Sequence, residues 1–282
     1  MPDRHLKLEV MIGTLAFVLL VAGFSFAVLR PVHERLSQIK FNRHLKIKSG
    51  QVYHDQASTG LWAFTLKMES KTAILVGYQK NSTEKNTAVI TLPSCVSYHG
   101  VTYTVTSLGD GKKSALPRHS ATTLVLPKTL KSINAWALSK SDFSNLVIPD
   151  RVVSIGNWAF SHDQQLESIV VPHSVKYLGS NAFAWDPSLK SARLDDLAVK
   201  LGNTFMGDTS LTDVDLGNRI ITIGQFVFYS CTALRRVYIP DSVTVLDNSA
   251  FAYDQNLAWV SLPRQLLVRP QTFSRNVTIV RR

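Results

Sequence analysis

Aspartates stand at positions 163, 186, 208 and 254, evenly spaced apart from one double step, and Cys231 fills the position skipped there. Carboxylates repeated on successive turns could ligate a hard cation such as Ca2+, which takes roughly six to eight oxygens. One carboxylate per repeat is too few for such a set. The simpler role is structural, each aspartate accepting backbone N–H bonds in its own turn, and no metal is assigned. The other residues with recognisable chemistry are Arg193, Asp213, Asp215, Arg235, Arg236, Tyr238 and Trp259. Arg, Tyr and Trp anchor protein interfaces, and a guanidinium over an indole gains a cation–π contact. A solubilising ladder of cross-strand charge pairs is the competing reading of the same residues. Catalytic patterns are missing from the sequence: the histidines are scattered, with no G-x-S-x-G turn, H-E-x-x-H pair or phosphate-binding glycine loop. The expectation is binding without covalent chemistry and without a cofactor.

What positions these residues is a repeat. The stretch LESIVVPHSVKYLGSNAF (166–183) returns as FSNLVIPDRVVSIGNWAF (143–160) and LRRVYIPDSVTVLDNSAF (234–251). One register runs through Pro127, Pro149, Pro172, Asp195, Gly217, Pro240 and Pro263, another through Leu138, Phe160, Phe183, Phe205, Phe228, Phe251 and Phe273. Two registers that agree step for step, with a period in the low twenties, specify a β-rich solenoid with one coil per repeat. In the pattern L-x-x-L-x-L-P-x-x-V-x-x-I-G-x-x-A-F-x-x-D, the first segment is strand-like. Ile169 and Val171 point one way and Val170 the other, so stacked coils would form a parallel sheet. Pro172 stops the strand, and Gly179 marks a tight turn that a side chain would crowd. The outward positions of consecutive strands are then Lys190, Ser191 and Arg193; Thr212, Asp213 and Asp215; Arg235, Arg236 and Tyr238; Ala258, Trp259 and Ser261. In register, Asp213, Arg236 and Trp259 form one column, with Arg236 able to lie on the indole. Trp136, Trp158, Trp185 and Tyr253 fall near the opposite turn, where packing between coils is expected. No coil buries its apolar set alone, so the array folds as a neighbour-stabilised stack.

This pattern, clearest in IPDSVTVLDNSAF and IPDRVVSIGNWAF, resembles the BspA-type leucine-rich repeat of microbial cell-surface proteins. The resemblance covers roughly residues 121–282, and TLPSCVSYHGVTYTVTSLG resembles the way such arrays begin. It implies a surface protein that binds host or matrix proteins, or takes part in adhesion and coaggregation. The chain departs from the family pattern in two ways. The position most often Cys in the family is Cys231 in one coil and Asp163, Asp186, Asp208 or Asp254 elsewhere, and no wall-sorting motif follows Val280.

The net charge of +11 is uneven: residues 1–48 carry eight Lys or Arg against three acids. With no dense basic stripe in the repeats, nucleic acid is not an expected partner. The two cysteines, Cys95 and Cys231, lie in different parts of the array and indicate neither a disulfide framework nor zinc. After a short flank (1–9), residues 10–29 carry no charge and are long enough to span a bilayer. A signal peptide is the rival reading, and the apolar residues at 24, 26, 28 and 29 favour an uncleaved anchor. Two Lys or Arg precede this run and six follow within 30–48, which by the positive-inside rule would place the repeats in the cytoplasm; the family resemblance implies the outside. The basic linker (30–49) is either an amphipathic helix on anionic head groups or a solvated stalk. Residues 50–120 read as a β-rich module covering the open edge of the first coil, with a Pro93-centred unit and an inserted hairpin before the regular array (121–282).

Overall fold

The computed structural model describes residues 52–57, 60–79, 89–98, 100–116, 122–274 and 276–282. The expected span (10–29) and basic linker lie outside the described residues. Among the described residues no helix is long and apolar enough to cross a membrane. The coils lie within the unit of Ile47–Val96 with Tyr103–Arg282.

The strands before the regular repeats are β1 (Val52–Ala57), β2 (Gly60–Lys67), β3 (Thr72–Gln79), β4 (Val89–Thr91), β5 (Cys95–Tyr98) and β6 (Val101–Leu108). Each regular coil then adds a sheet-face strand and a second short one. These are β7 (Thr123–Val125) and β8 (Ser132–Ile133), β9 (Asn145–Leu146) and β10 (Ser154–Ile155), β11 (Ser168–Val171) and β12 (Tyr177–Leu178). They continue as β13 (Ser191–Leu194) and β14 (Lys200–Leu201), β15 (Asp213–Asp215) and β16 (Thr222–Ile223), β17 (Arg236–Tyr238) and β18 (Val245–Leu246), before β19 (Trp259–Leu262) and β20 (Thr278–Arg281).

Two ladders follow from this alternation. The sheet face consists of β4-β7-β9, β11-β13-β15 and β17-β19-β20, all parallel. The second ladder joins β8, β10 and β12 to β6, and further on β14, β16 and β18. β1, β2 and β3 form an antiparallel meander whose last strand pairs in parallel with β6. As the Pro93-centred unit implies, β4 pairs with β7 and β6 with β8, and the β5–β6 hairpin is inserted between them. Strand burial alternates as the pattern requires: Ile169, Val171, Ala192 and Leu194 are buried, while Ser168, Val170 and Arg193 face out.

A third ladder runs along the phenylalanine ridge. The amides of Phe160, Phe183, Phe205 and Phe228 donate to the carbonyls of Ala182, Thr204, Val227 and Ala250 in the next coil, at 2.8–3.1 Å. Two residues to either side, the backbone is left-handed: φ is 59° at Trp158 and 61° at His162, 58° at Asn181 and 64° at Trp185, 54° at Asn203 and 82° at Gly207. Left-handed geometry costs an L-residue about 1–2 kcal/mol. It persists because it turns N–H and C=O groups of every ridge segment toward neighbouring coils, where buried backbone groups must be paired. The rings inside stack in sequence, Phe160 on Phe183 at 5.1 Å, Phe183 on Phe205 at 5.9 Å, Phe205 on Phe228 at 5.6 Å and Phe228 on Phe251 at 4.9 Å.

One expectation changes, and another holds. Gly179 is required by the approach of the neighbouring coil rather than by a turn of its own: a Cβ there would lie 2.3 Å from Asn157 N and 2.4 Å from the Gly156 carbonyl carbon. Of the four turn aromatics, Trp136 and Trp158 do stack on each other, at 5.1 Å. Tyr253 meets the Tyr229 ring of the preceding coil at 5.0 Å, and Trp185 lies against Gly207 of the next, where a Cβ would come 2.4 Å from its Cε3; both also keep part of their surface in solvent, 61% and 39%.

Phe183 is fully buried between two rings. Phe183→Ala is expected to destabilise the array by about 3–5 kcal/mol in urea unfolding, and Gly179→Ala by about 1–3 kcal/mol through overpacking.

Candidate functional site

The aspartate column is buried and its carboxylates reach across coils. Phe143 N–H donates to Asp163 Oδ2 at 3.2 Å, Asp163 N–H to Asp186 Oδ1 at 2.8 Å, and Asp186 N–H to Asp208 Oδ1 at 2.9 Å. Cys231 N–H donates to Asp254 Oδ1 at 2.7 Å. This corrects the expectation that each aspartate serves its own turn. Asp163 does so in part, accepting from Gln165 and Leu166, but the recurring bond joins one coil to the next. Cys231 has no carboxylate to offer Asp208, whose amide bonds the Phe205 carbonyl instead; the Cys231 thiol donates to that same carbonyl at 3.1 Å. Carboxylates committed in this way are poor cation ligands, and among the described residues no cluster of three or more His, Cys, Asp or Glu could hold a metal. Burial pushes Asp163 up to about 6 and Asp254 up to about 8. It also raises Asp208 well above the usual carboxylate range, and Asp186 likewise, there with the Asp208 carboxylate adding to the effect. The neutral acid is cheaper to bury than the carboxylate, and among the described residues Oδ2 of Asp186, Asp208 and Asp254 has no hydrogen-bond partner.

The sheet face carries the residues expected for recognition. Cross-strand partners are Ser191 with Asp213, Arg193 with Asp215, Arg236 with Trp259, and Tyr238 with Ser261. Arg193, Asp213, Asp215, Arg235, Arg236 and Tyr238 are exposed and Trp259 is half-buried. Arg236 and Trp259 are cross-strand neighbours in the register the period implies; β15 and β17 also lie side by side, but the hydrogen-bonded ladder is interrupted between Asp213 and Arg236. The guanidinium on an aromatic face is that of Arg282, 3.8 Å from the centroid of Tyr238. Arg282 also bonds Ser261 Oγ at 2.8 Å, the Ile239 carbonyl and Asp241. Ser261, expected to face solvent, is consequently buried at 3% exposure. No local pattern could announce this clasp, whose hydrogen bonds alone join residues 21 to 43 positions apart.

Two hollows mark the same side. One, of about 510 Å3, lies over β7 and β9 and is lined by Val125, Leu146, Val147 and Ile148, with Lys128 and Arg151. The valines in the outward positions of the repeat were its sequence signal. The other, of about 520 Å3, occurs where the proline register gives way to Asp195 and Gly217, and includes His173, Arg193, Asp196, Asp215 and Asn218. Gly217 has φ of 61°, and a Cβ there would lie 2.5 Å from the Leu194 carbonyl oxygen. Asp215 Oδ1 accepts Gly217 N–H and Asp196 Oδ1 accepts Asn218 N–H, at 2.9 and 2.8 Å. Arg193 Nε meets Asp195 Oδ1 at 2.8 Å, an exposed pair of little energetic weight. These groups can offer hydrogen bonds, ion pairs and aromatic surface to a ligand.

The buried acids make stability pH-dependent. Their folded pKa values lie above the unfolded ones, so between about pH 4 and 8 the folded state binds more protons, and stability falls as pH rises. The contribution is fully present below the unfolded carboxylate pKa, and is lost on passing about 6 for Asp163 and about 8 for Asp254. Thermal melts should give a lower Tm at pH 8 than at pH 5, and Asp254→Asn should narrow that difference; a Tm that rises over this interval would contradict the protonated column.

The chain is similar to several bacterial solved structures. These include the T. pallidum leucine-rich repeat protein TpLRR (23% identity, 64% of this chain and 91% of that one, TM-score 0.49). A leucine-rich cell surface protein from Faecalibacterium prausnitzii shares 16% identity over 83% of this chain and 96% of its own, TM-score 0.32. The pneumococcal vaccine antigen PcpA shares 16% over 83% and 94%, TM-score 0.33. No curated protein matches the chain. The family profile described as "BspA type Leucine rich repeat region" matches in six copies over residues 112–204 and 188–279. With three ladders stacking the coils through that same stretch, the chain belongs to the BspA-type leucine-rich repeat family.

Proposed function

We propose that this protein is a membrane-anchored, extracellular recognition module that mediates adhesion or binds a protein or glycan through its sheet face, with no covalent chemistry. Residues 10–29 serve as the anchor, or as a signal peptide in a secreted form. The strands within 50–120 act as the cover of the first coil, a role supported by the β1–β2–β3 meander alongside β6. The observation that carries the reading is the cross-strand Arg236–Trp259 pair beside exposed Arg235 and Tyr238. These residue types bury large rigid surface and satisfy bidentate contacts in interfaces. Arg193, Asp213 and Asp215 extend the face toward the middle coils. BspA-type repeats are a cell-surface family, which supports the outside location.

A second reading, a cytoplasm-facing membrane scaffold, is favoured by one observation: six Lys or Arg follow the apolar run within 30–48 and two precede it. Protease shaving of intact cells carrying a C-terminal epitope separates the two. Loss of the epitope without lysis is expected; its survival until the cells are opened would favour the scaffold. Screened against matrix proteins and glycans, the Arg236→Ala, Trp259→Ala double variant should bind its partner at least tenfold more weakly, roughly the 1.4 kcal/mol or more of an anchor pair. Its Tm should stay near that of the wild type, and unchanged affinity would remove this face from consideration.

A further inference from the structure

We propose that the occupant of the sheet face is an extended polypeptide segment that presents apolar, then basic, then acidic residues along the stacking axis. This rests on the sheet-face reading above and names its ligand class. Three bands cross the face in order. Over β7, β9 and β11 the outward column is Val125, Val147 and Val170, exposed by 43%, 79% and 43%, beside the apolar hollow of about 510 Å3. Contiguous exposed apolar surface of this kind marks interaction sites.

The middle band is acidic. Lys190 is paired with Glu167 at 3.0 Å and Arg193 with Asp195 at 2.8 Å. Asp196, Asp213 and Asp215 are exposed and, among the described residues, have no cation within ion-pair distance. The last band is basic and aromatic. Arg282 is held by Asp241, whereas Arg235, Arg236 and Arg264 are exposed with no carboxylate within ion-pair distance among the described residues. Tyr238, 51% exposed, and Trp259 lie among them.

Coils stack about 4.8 Å apart, so the charged bands are centred roughly 10 Å from one another. The Debye length at physiological salt is about 8 Å. Each band therefore acts on the part of the ligand directly above it, and the two do not average to neutrality. A uniform polyanion gains at the arginines and is repelled over Asp213 and Asp215; a uniform polycation meets the reverse. A polypeptide can match every band in turn, with carboxylates forked by the arginines. The span from Val147 to Arg264 is five coils, about 24 Å, which is about seven residues of extended chain.

The test is selection of a random dodecapeptide phage library on the immobilised full chain at 0.15 M salt, with soluble dextran sulfate and polylysine measured in parallel. The expected peptides carry an apolar residue, Lys or Arg about three to four positions away, and Asp or Glu about three further on, in either chain direction. Their affinity should fall at least tenfold on Arg235→Glu with Arg236→Glu, and on Asp213→Lys with Asp215→Lys, each variant having an unchanged thermal transition. Replacing the peptide's acidic residues by Lys should restore binding to the arginine-reversed variant. Absence of enrichment, enrichment of uniformly charged peptides, or dextran sulfate binding as tightly as any peptide would overturn the proposal. Where dextran sulfate wins and Trp259→Ala weakens it, the sheet-face reading survives without its polypeptide ligand; peptides indifferent to every face substitution would remove both.

Discussion

Backbone hydrogen bonds directed from each coil to the next hold this solenoid together, and most other features of the chain accommodate them. A single coil has a perimeter of amides and carbonyls and too little apolar surface to bury by itself. Three ladders pass these groups to the neighbours: the sheet face, the two-residue strands, and the phenylalanine ridge. The ridge is the demanding one, because it keeps left-handed residues on both sides of each ring, including bulky ones such as Trp158, Phe226 and Tyr253. Such residues would seldom hold this geometry in isolation; in the stack the Trp158 amide finds the Ser180 carbonyl of the next coil at 3.0 Å.

Side chains inside the stack extend the same logic. The aspartates act as additional backbone acceptors that cross from coil to coil, and they do so in a dry interior where the neutral acid is the cheaper form. Cys231 interrupts that run with a thiol that is buried and donates to the Phe205 carbonyl. The glycine after the second short strand survives because the preceding coil comes within 2.3 Å of where its Cβ would be. Interior positions are thus constrained by the period itself.

Outward positions of the sheet face have no such constraint, and there the coils differ from one another. Valines give way to aspartates and then to arginines with aromatic neighbours. The proline register breaks in two adjacent coils, Asp195 and Gly217, where a polar hollow opens. A binding scaffold built in this manner separates its tasks: packing is repeated, and recognition is written on positions that packing does not use.

The repeat length, the inward residues, the phenylalanine column and the parallel sheet face were all legible in the amino-acid order. Periodic burial and strand alternation act at fixed local spacing, and Leu166, Ile169, Val171 and Phe183 display them directly. The pairing of Arg236 with Trp259 followed from the same period. Other features belong to the tertiary structure alone. Left-handed residues such as Trp185 and His162 have no consistent residue type, because the geometry is imposed by the neighbouring coils' backbone. The aspartate bond to the next coil rather than to its own turn depends on a 2.8 Å approach that only stacking produces. The gap in the sheet ladder between β15 and β17, and the reach of Arg282 across two coils to Tyr238, Ile239 and Asp241, arise from the cumulative path of the stack. Local order determined what one coil is; the register between coils decided which side chains meet.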